Sequence, residues 1–189
     1  MYILGLNAYH GDCSACLFKD GNIVAAIEEE RLTRVKHAAG FPINSIKFCL
    51  NKENILLRDV HYVAVNRNPN LRLFSKSLYA LKNIFKISKF TNRVKNLKKI
   101  NSLDKEFQNH FGEKLRNKVI LIDHHMAHAS SSVTMSKFNE CNYITLDGFG
   151  DFVSTTIGSY KRGELKKYKE VQFPHSVGLF YTAITQYLG

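Results

Sequence analysis

Tyr2-Ile-Leu-Gly-Leu-Asn-Ala-Tyr-His-Gly-Asp-Cys-Ser-Ala-Cys-Leu-Phe-Lys-Asp-Gly-Asn-Ile-Val-Ala-Ala-Ile-Glu28 is the stretch whose reading decides the fold. Tyr2 to Asn7 is a short apolar strand that ends in the loop Ala8-Tyr-His-Gly-Asp12, and Cys13 to Phe18 returns as a second strand. Asp20-Gly21 is a two-residue hairpin signal, because both positions tolerate positive φ, and Asn22 to Glu28 pairs back as a third strand. Working outward, Pro42 opens a helix to about Asn51 with Ile43, Ile46 and Leu50 on one face. His61 to Val65 and Lys118 to Ile122 read as a fourth and a fifth strand, and His124 to about Lys137 as a closing helix.

The opening pattern then recurs. Tyr143-Ile-Thr-Leu-Asp147 runs into a glycine-rich loop with Asp151, Phe152 to Tyr160 returns, Lys161-Arg-Gly-Glu164 turns, Leu165 to Phe173 pairs back, and a helix follows from about Ser176 to Leu188. Asn7 and Asp147 occupy equivalent places in the two copies. A three-stranded meander followed by helix and parallel strands describes a ribonuclease H-like lobe, and two in tandem describe the α/β fold of the actin-like ATPases. The reading is one complete lobe, residues 1–140, with a basic helical insertion at about 71–118, and the beginning of a second lobe at 141–189. The second lobe still needs parallel strands at Gly189, so the chain is expected to be part of a longer protein. In such folds ligands lie in the cleft between lobes, at the ends of the first strands, where loop backbone reaches phosphates.

Composition narrows the class. The chain has 189 residues, 44% hydrophobic and 23% charged, an ordinary globular balance. No run approaches the ~18 apolar residues of a membrane helix, and Met1-Tyr-Ile-Leu-Gly-Leu6 lacks the basic region of a secretory signal, so a cytoplasmic location is expected. Cys13 and Cys16 form a C-x-x-C, but within a strand residues three apart point to opposite faces, and they read as packing residues of a reducing compartment. The net charge is +11, and thirteen Lys or Arg against three acids lie between Leu71 and Lys118. Such a field would attract nucleic acid or substrate phosphates. A solvated, lysine-rich helical insertion accounts for it more simply, since Phe74, Tyr79, Phe85, Phe90, Phe107 and Phe111 fall among aliphatics at helix-like intervals and need no stacked bases. Nucleic acid is therefore not the expected partner.

The chemistry concentrates in His124, His128 and Asp147. The histidines stand at i and i+4, on one helical face, and Asp147 closes a strand beside Gly148-Phe-Gly150. Two neutral imidazoles and a carboxylate form a transition-metal set with room for further ligands. A surface histidine with one core partner, and an aspartate placed for a turn, would show the same letters.

Five ordered blocks carry a resemblance that spans the chain outside the basic insertion. They are Leu4-Gly-Leu-Asn-Ala-Tyr-His-Gly-Asp-Cys-Ser-Ala-Cys-Leu17, Glu28-Glu-Glu-Arg-Leu-Thr-Arg-Val-Lys-His37, Asp123-His-His-Met-Ala-His-Ala129, Leu146-Asp-Gly-Phe-Gly-Asp151 and Ser176-Val-Gly-Leu-Phe-Tyr181. Together they resemble the amino-terminal domain of the nodulation and antibiotic O-carbamoyltransferases, relatives of the tRNA threonylcarbamoyladenosine-forming enzymes. The resemblance implies that a further, carboxy-terminal adenylate-forming domain makes carbamoyl adenylate from carbamoyl phosphate and ATP. The amino-terminal domain then moves the carbamoyl group onto a hydroxyl of a sugar or natural product. It also implies iron, Fe(II) or another divalent transition metal, at His124, His128 and Asp147, with one more aspartate from missing sequence.

The remaining site residues follow from residue chemistry and this resemblance. His10 is the candidate base for the acceptor hydroxyl, histidine being the side chain most often used to take up such a proton, although a loop histidine that caps backbone would look the same. Asp12 and Asp151 would orient His10 or acceptor hydroxyls, or serve as turn residues. Arg31, Arg34, Lys36 and His37 would hold phosphate or acceptor oxygens, or form solvated ion pairs, and Gly148 and Gly150 would bring backbone amides to phosphate. Two other classes compete: a tRNA-modification-related nucleotide- and RNA-binding protein, and a metal-dependent hydrolase using the same triad. The isolated chain is expected to be inactive.

Overall fold

The computed structural model describes residues 1–82, 103–115 and 118–189. Their packing separates into two compact units: Met1–Asn66 with the described residues of 103–121, and Arg67–Lys82 with Ile122–Gly189. The described helices are α1 (Glu29–Thr33), α2 (Ile43–Lys52), α3 (Leu73–Lys82), α4 (Leu103–Phe111), α5 (His124–Met135) and α6 (Val177–Leu188). None is long and apolar enough to cross a membrane.

In the first unit β1 (Tyr2–Asn7), β2 (Ser14–Lys19), β3 (Asn22–Glu28), β4 (Tyr62–Val65) and β5 (Val119–Leu121) form a sheet in the order β3-β2-β1-β4-β5. The first three strands are an antiparallel meander, and β4 and β5 join β1 in parallel, as the opening stretch predicts. Asp20 and Gly21 both take positive φ, 50° and 83°, the twist a tight hairpin needs. Alternate residues Leu4 and Leu6, Ala15 and Leu17, and Val63 and Val65 share one core with Ile46, Cys49 and Leu50 of α2. Cys13 and Cys49 are buried, Cys16 and Cys141 are partly buried, and all four are free thiols.

The charged stretch after β3 opens with the short helix α1, and its Glu29 is buried. Glu29 Oε1 accepts from the Asn44 amide and Nδ2 at 3.0 and 2.7 Å, and Oε2 accepts from the Ser45 amide and Oγ, both at 2.8 Å. Pro42 precedes α2 without a side-chain cap. Glu29 supplies the missing acceptors from another helix and so starts α2. Burial alone would raise the Glu29 pKa, but these hydrogen bonds outweigh it and leave the carboxyl below its ordinary value.

The basic insertion is divided by the packing. Leu103, Phe107 and Leu115 belong to the first unit's core, with Phe107 edge-on to Phe41 at 5.0 Å between ring centres, so α4 packs one apolar face while Asp104, Lys105, Gln108 and Asn109 stay exposed. Helix α3 clusters with the second unit, where Tyr79 meets Phe173 edge-on at 4.7 Å. The expected continuation through Phe85 and Phe90 lies outside the described residues.

In the second unit β6 (Glu140–Gly150), β7 (Val153–Lys161) and β8 (Glu164–Gln172) form an antiparallel sheet in sequence order. The β6–β7 register breaks between Leu146 and Gly150, which frees Asp147, Gly148 and Phe149 from regular pairing. Tyr143 and Thr145 face inward with Ala129 and Val133 of α5. The helix expected to close the first lobe thus clusters with β6 and β7, and the packing boundary falls between Leu121 and Ile122, earlier than residue 140.

Candidate metal centre

Helix α5 begins where Asp123 caps it. Asp123 Oδ1 accepts from the His125 and Met126 amides at 3.0 and 3.3 Å, satisfying the donors that a helix start leaves open. His124 and His128 project from successive turns of α5, and Asp147 projects from the irregular end of β6. Among the described residues these three form a group whose ligand atoms all lie within 4.8 Å of one another. His124 Nε2 lies 2.8 Å from Asp147 Oδ2 and 3.0 Å from His128 Nε2.

Three donor atoms that converge on each other fit a metal ion. Partial burial of the His128 ring, with the neighbouring His124, lowers its pKa and favours neutral imidazole. The hydrogen bond with His124 holds the Asp147 carboxyl at about 2, so it is ionised at neutral pH. Neutral imidazoles and an ionised carboxylate are the forms that ligate. His128 is exposed while His124 and Asp147 are partly buried, so the site has a protein-held side and an open side.

His125, between the two ligands in sequence, is buried and structural. Its Nε2 donates to the Val153 carbonyl at 2.9 Å, and its Nδ1 accepts from Thr145 Oγ1 at 2.7 Å. Burial keeps this ring neutral by lowering its pKa. The buried histidine of the helix is thus His125, which the sequence reading did not single out, and neither His124 nor His128 is fully buried.

Two glycines make room for the ligands. A Cβ on Gly150 would overlap the His124 ring, including Nε2 at 2.6 Å, so Gly150 serves as a floor for the imidazole. A Cβ on Gly178 would stand 2.5 Å from the Asp147 carbonyl oxygen, and Ser176 Oγ donates to that oxygen at 2.9 Å. The start of α6 is thereby held against Asp147. Gly148 donates its amide to Asp147 Oδ1 at 2.6 Å. Asp151 takes φ 50°, and its Oδ2 accepts from the His124 and Asn68 amides at 3.0 and 2.8 Å. Gly148, Gly150 and Asp151 thus shape the ligand set, and the sequence signal that reached them was the glycine loop after an apolar strand. Ser176 and Gly178 lie in the fifth resemblance block without a role read from it, and Asn68 and Arg72 carried no signal.

His10, Asp12, Arg31, Arg34, Lys36 and His37 belong to the first unit. Asn7 Nδ2 donates to the Asp12 carbonyl at 3.0 Å and fastens the loop after β1. Tyr9 and Cys13 amides donate to the Gly40 and Ala38 carbonyls at 2.8 and 3.0 Å, which joins that loop to the segment after α1. Non-glycine residues at positive φ gather there: Tyr9, Asp12, Arg34 and His37. Asp12 Oδ1 pairs with His37 Nδ1 at 2.9 Å, while His10 Nδ1 donates to the Gly11 carbonyl at 3.2 Å. The Asp12 carboxylate raises the His37 pKa. In a neutral His10 ring this leaves Nε2 as the acceptor. Arg31 pairs loosely with Glu30 and Glu28 at 3.4 and 3.7 Å, Arg34 closes α1 through its amide, and the side chains of Arg34 and Lys36 are exposed.

Comparison with known proteins assigns the chain. The family model described as Carbamoyltransferase N-terminus matches residues 2–189, and the chain belongs to this family. It is 34% identical over 196 residues to "Uncharacterized protein sll1178" of Synechocystis sp., covering 100% of this chain and 32% of that protein. It is 30% identical over 190 residues to "Nodulation protein NolNO" of Sinorhizobium fredii, covering 97% of this chain and 26% of that protein. The chain therefore spans about a third or less of these relatives. A solved structure described as an uncharacterized protein with similarity to peptidase YEAZ from Pseudomonas aeruginosa superposes with a TM-score of 0.52 at 12% identity, over 92% of this chain and 67% of that one. The fold is the actin-like ATPase, ribonuclease H-like fold expected from the opening stretch.

Proposed function

We propose that this chain is the amino-terminal part of an O-carbamoyltransferase that moves a carbamoyl group from carbamoyl adenylate to a hydroxyl of a sugar or natural product. The observation that carries the reading is the convergence of His124, His128 and Asp147 in a chain of the carbamoyltransferase N-terminus family. Carbamoyl adenylate comes, in this proposal, from carbamoyl phosphate and ATP in a carboxy-terminal adenylate-forming domain. Transfer forms a bond between the acceptor oxygen and the carbamoyl carbon, breaks the bond from that carbon to the phosphate oxygen, and releases AMP.

Each residue has a proposed task. His124, His128 and Asp147 hold Fe(II) or another divalent transition metal, which when bound supplies positive charge to a phosphate or carbonyl oxygen. His10 accepts the acceptor's hydroxyl proton at Nε2. The Asp12–His37 pair and the exposed cations Arg31, Arg34 and Lys36 bind phosphate or acceptor oxygens.

The test is incubation of the full-length protein with carbamoyl phosphate, ATP and a panel of sugars and hydroxylated natural products. Carbamoyl-phosphate-dependent AMP release with a carbamoylated acceptor supports the proposal. Phosphate or ester release that ignores carbamoyl phosphate would assign the metal set to a hydrolase.

A further inference from the structure

We propose that Arg72 is a positioning residue for the metal centre, holding the first turn of α5 through Asp123 and the loop beside it through Asp151. The inference rests on the metal reading of His124, His128 and Asp147.

The Arg72 side chain is 9% exposed and takes a left-handed backbone at φ 58°. All three of its nitrogens are engaged. Nε donates to Glu170 Oε1 at 2.9 Å, Nη2 to Glu170 Oε2 at 2.6 Å and to Asp123 Oδ2 at 2.7 Å, and Nη1 to the Asp151 carbonyl at 3.3 Å. Lys167 stands 2.6 Å from Glu170 and 3.6 Å from Asp123, so two cations face two carboxylates and the cluster is neutral. A cluster balanced in this way does not offer its guanidinium to a phosphate. Its geometry points to holding.

What it holds is specific. Asp123 divides its oxygens: Oδ1 caps α5 and Oδ2 meets Arg72. Asp151 is divided too, with Oδ2 on the His124 amide and its carbonyl on Arg72. Both aspartates that fix the turn bearing His124 are therefore themselves fixed by one guanidinium. The adjoining segment adds the Asn68 amide on Asp151. With Gly150 beneath the ring, His124 is constrained at backbone and imidazole, which is what sets its distance to Asp147 and His128. A lysine at position 72 keeps the charge but has one nitrogen, and cannot reach three acceptors in three directions.

The experiment is titration of the metal-free protein with Co(II), read by visible ligand-field absorption, for wild type, Arg72→Gln, Arg72→Lys and His128→Ala. The expected result is an Arg72→Gln protein, folded by circular dichroism, that binds Co(II) about 10–100-fold more weakly with an altered spectrum, and partial rescue by Arg72→Lys. Wild-type affinity and spectrum in folded Arg72→Gln would overturn the proposal, because a role in stability alone moves neither. If Arg72→Gln does not fold, Arg72→Lys decides on the same criterion. Wild type and His128→Ala that are equally unable to bind Co(II) would overturn the metal reading itself, and this inference with it. Binding that His128→Ala loses and both Arg72 variants keep would overturn the positioning role alone.

Discussion

The imidazole of His124 lies against Gly150 so closely that a methyl group at position 150 would occupy the same space as the ring. A side chain lost from one residue is the seat of another, and that relationship orients the residue shared by both ligand contacts.

Gly150→Ala is expected to displace the His124 ring and to lower metal affinity by about 10–100-fold, as when ligand-orienting contacts are removed. Gly11→Ala is the matched control, since a Cβ there meets nothing within 4 Å, and should change thermal stability by less than about 0.5 kcal/mol. Co(II) or Fe(II) titration with thermal melts of both variants checks the pair. Undiminished binding in Gly150→Ala would remove the glycine from the site's design.

Metal binding is expected to depend on pH in one direction. The His124 hydrogen bond holds Asp147 at about 2, and partial burial lowers His128 from its ordinary 6.5, so these two ligands compete little with protons above neutrality. Affinity should be flat from about pH 7 upward and fall as pH drops through the histidine range, with protons displaced on binding at low pH. His128→Ala should lose most bound metal. Metal content by elemental analysis across pH 5–8 tests both statements, and content that rises on acidification would contradict the assigned ligands.

Glu29 is expected to stabilise the first unit. Its folded pKa is lowered, so the stabilisation is fully present above the unfolded carboxyl value near ~4.5 and is lost as pH falls through the folded value. Glu29→Gln leaves one oxygen and replaces the other with a donor facing donors, and should cost about 1–3 kcal/mol at pH 7. The difference between wild type and Glu29→Gln in urea unfolding should shrink toward pH 3. A difference that grows on acidification would refute the sign.

His10→Asn in the full-length protein is expected to spare carbamoyl-adenylate formation and to slow transfer to the acceptor by about 10²–10⁴-fold. Measured half-reactions separate the two steps. Equal loss of both would show that His10 is not the transfer base.

The fold was legible from local signals. Alternation in Tyr2–Asn7, the Asp20-Gly21 hairpin, and the recurrence of the same order from Tyr143 onward required no long-range information, because strand period and turn chemistry are written in adjacent residues. The charged run at Glu28–His37 misled for the converse reason. Glu29 looks solvent-facing until Asn44 and Ser45, 15 and 16 residues later, supply the donors that let it be buried.

By itself the sequence determined the meander, its repetition, the helical spacing of His124 and His128, and the family blocks, all properties of neighbours along the chain. Tertiary structure decided which histidine is core, since His125 is fixed by Thr145 and Val153 from the sheet. It decided that α5 packs with β6 and β7, that Asp12 serves His37, and that Arg72 joins Asp123, Asp151 and Glu170 across 51, 79 and 98 residues of chain. The physical reason is that a buried charge needs partners arranged in three dimensions, and no spacing rule along the chain encodes where those partners will come from.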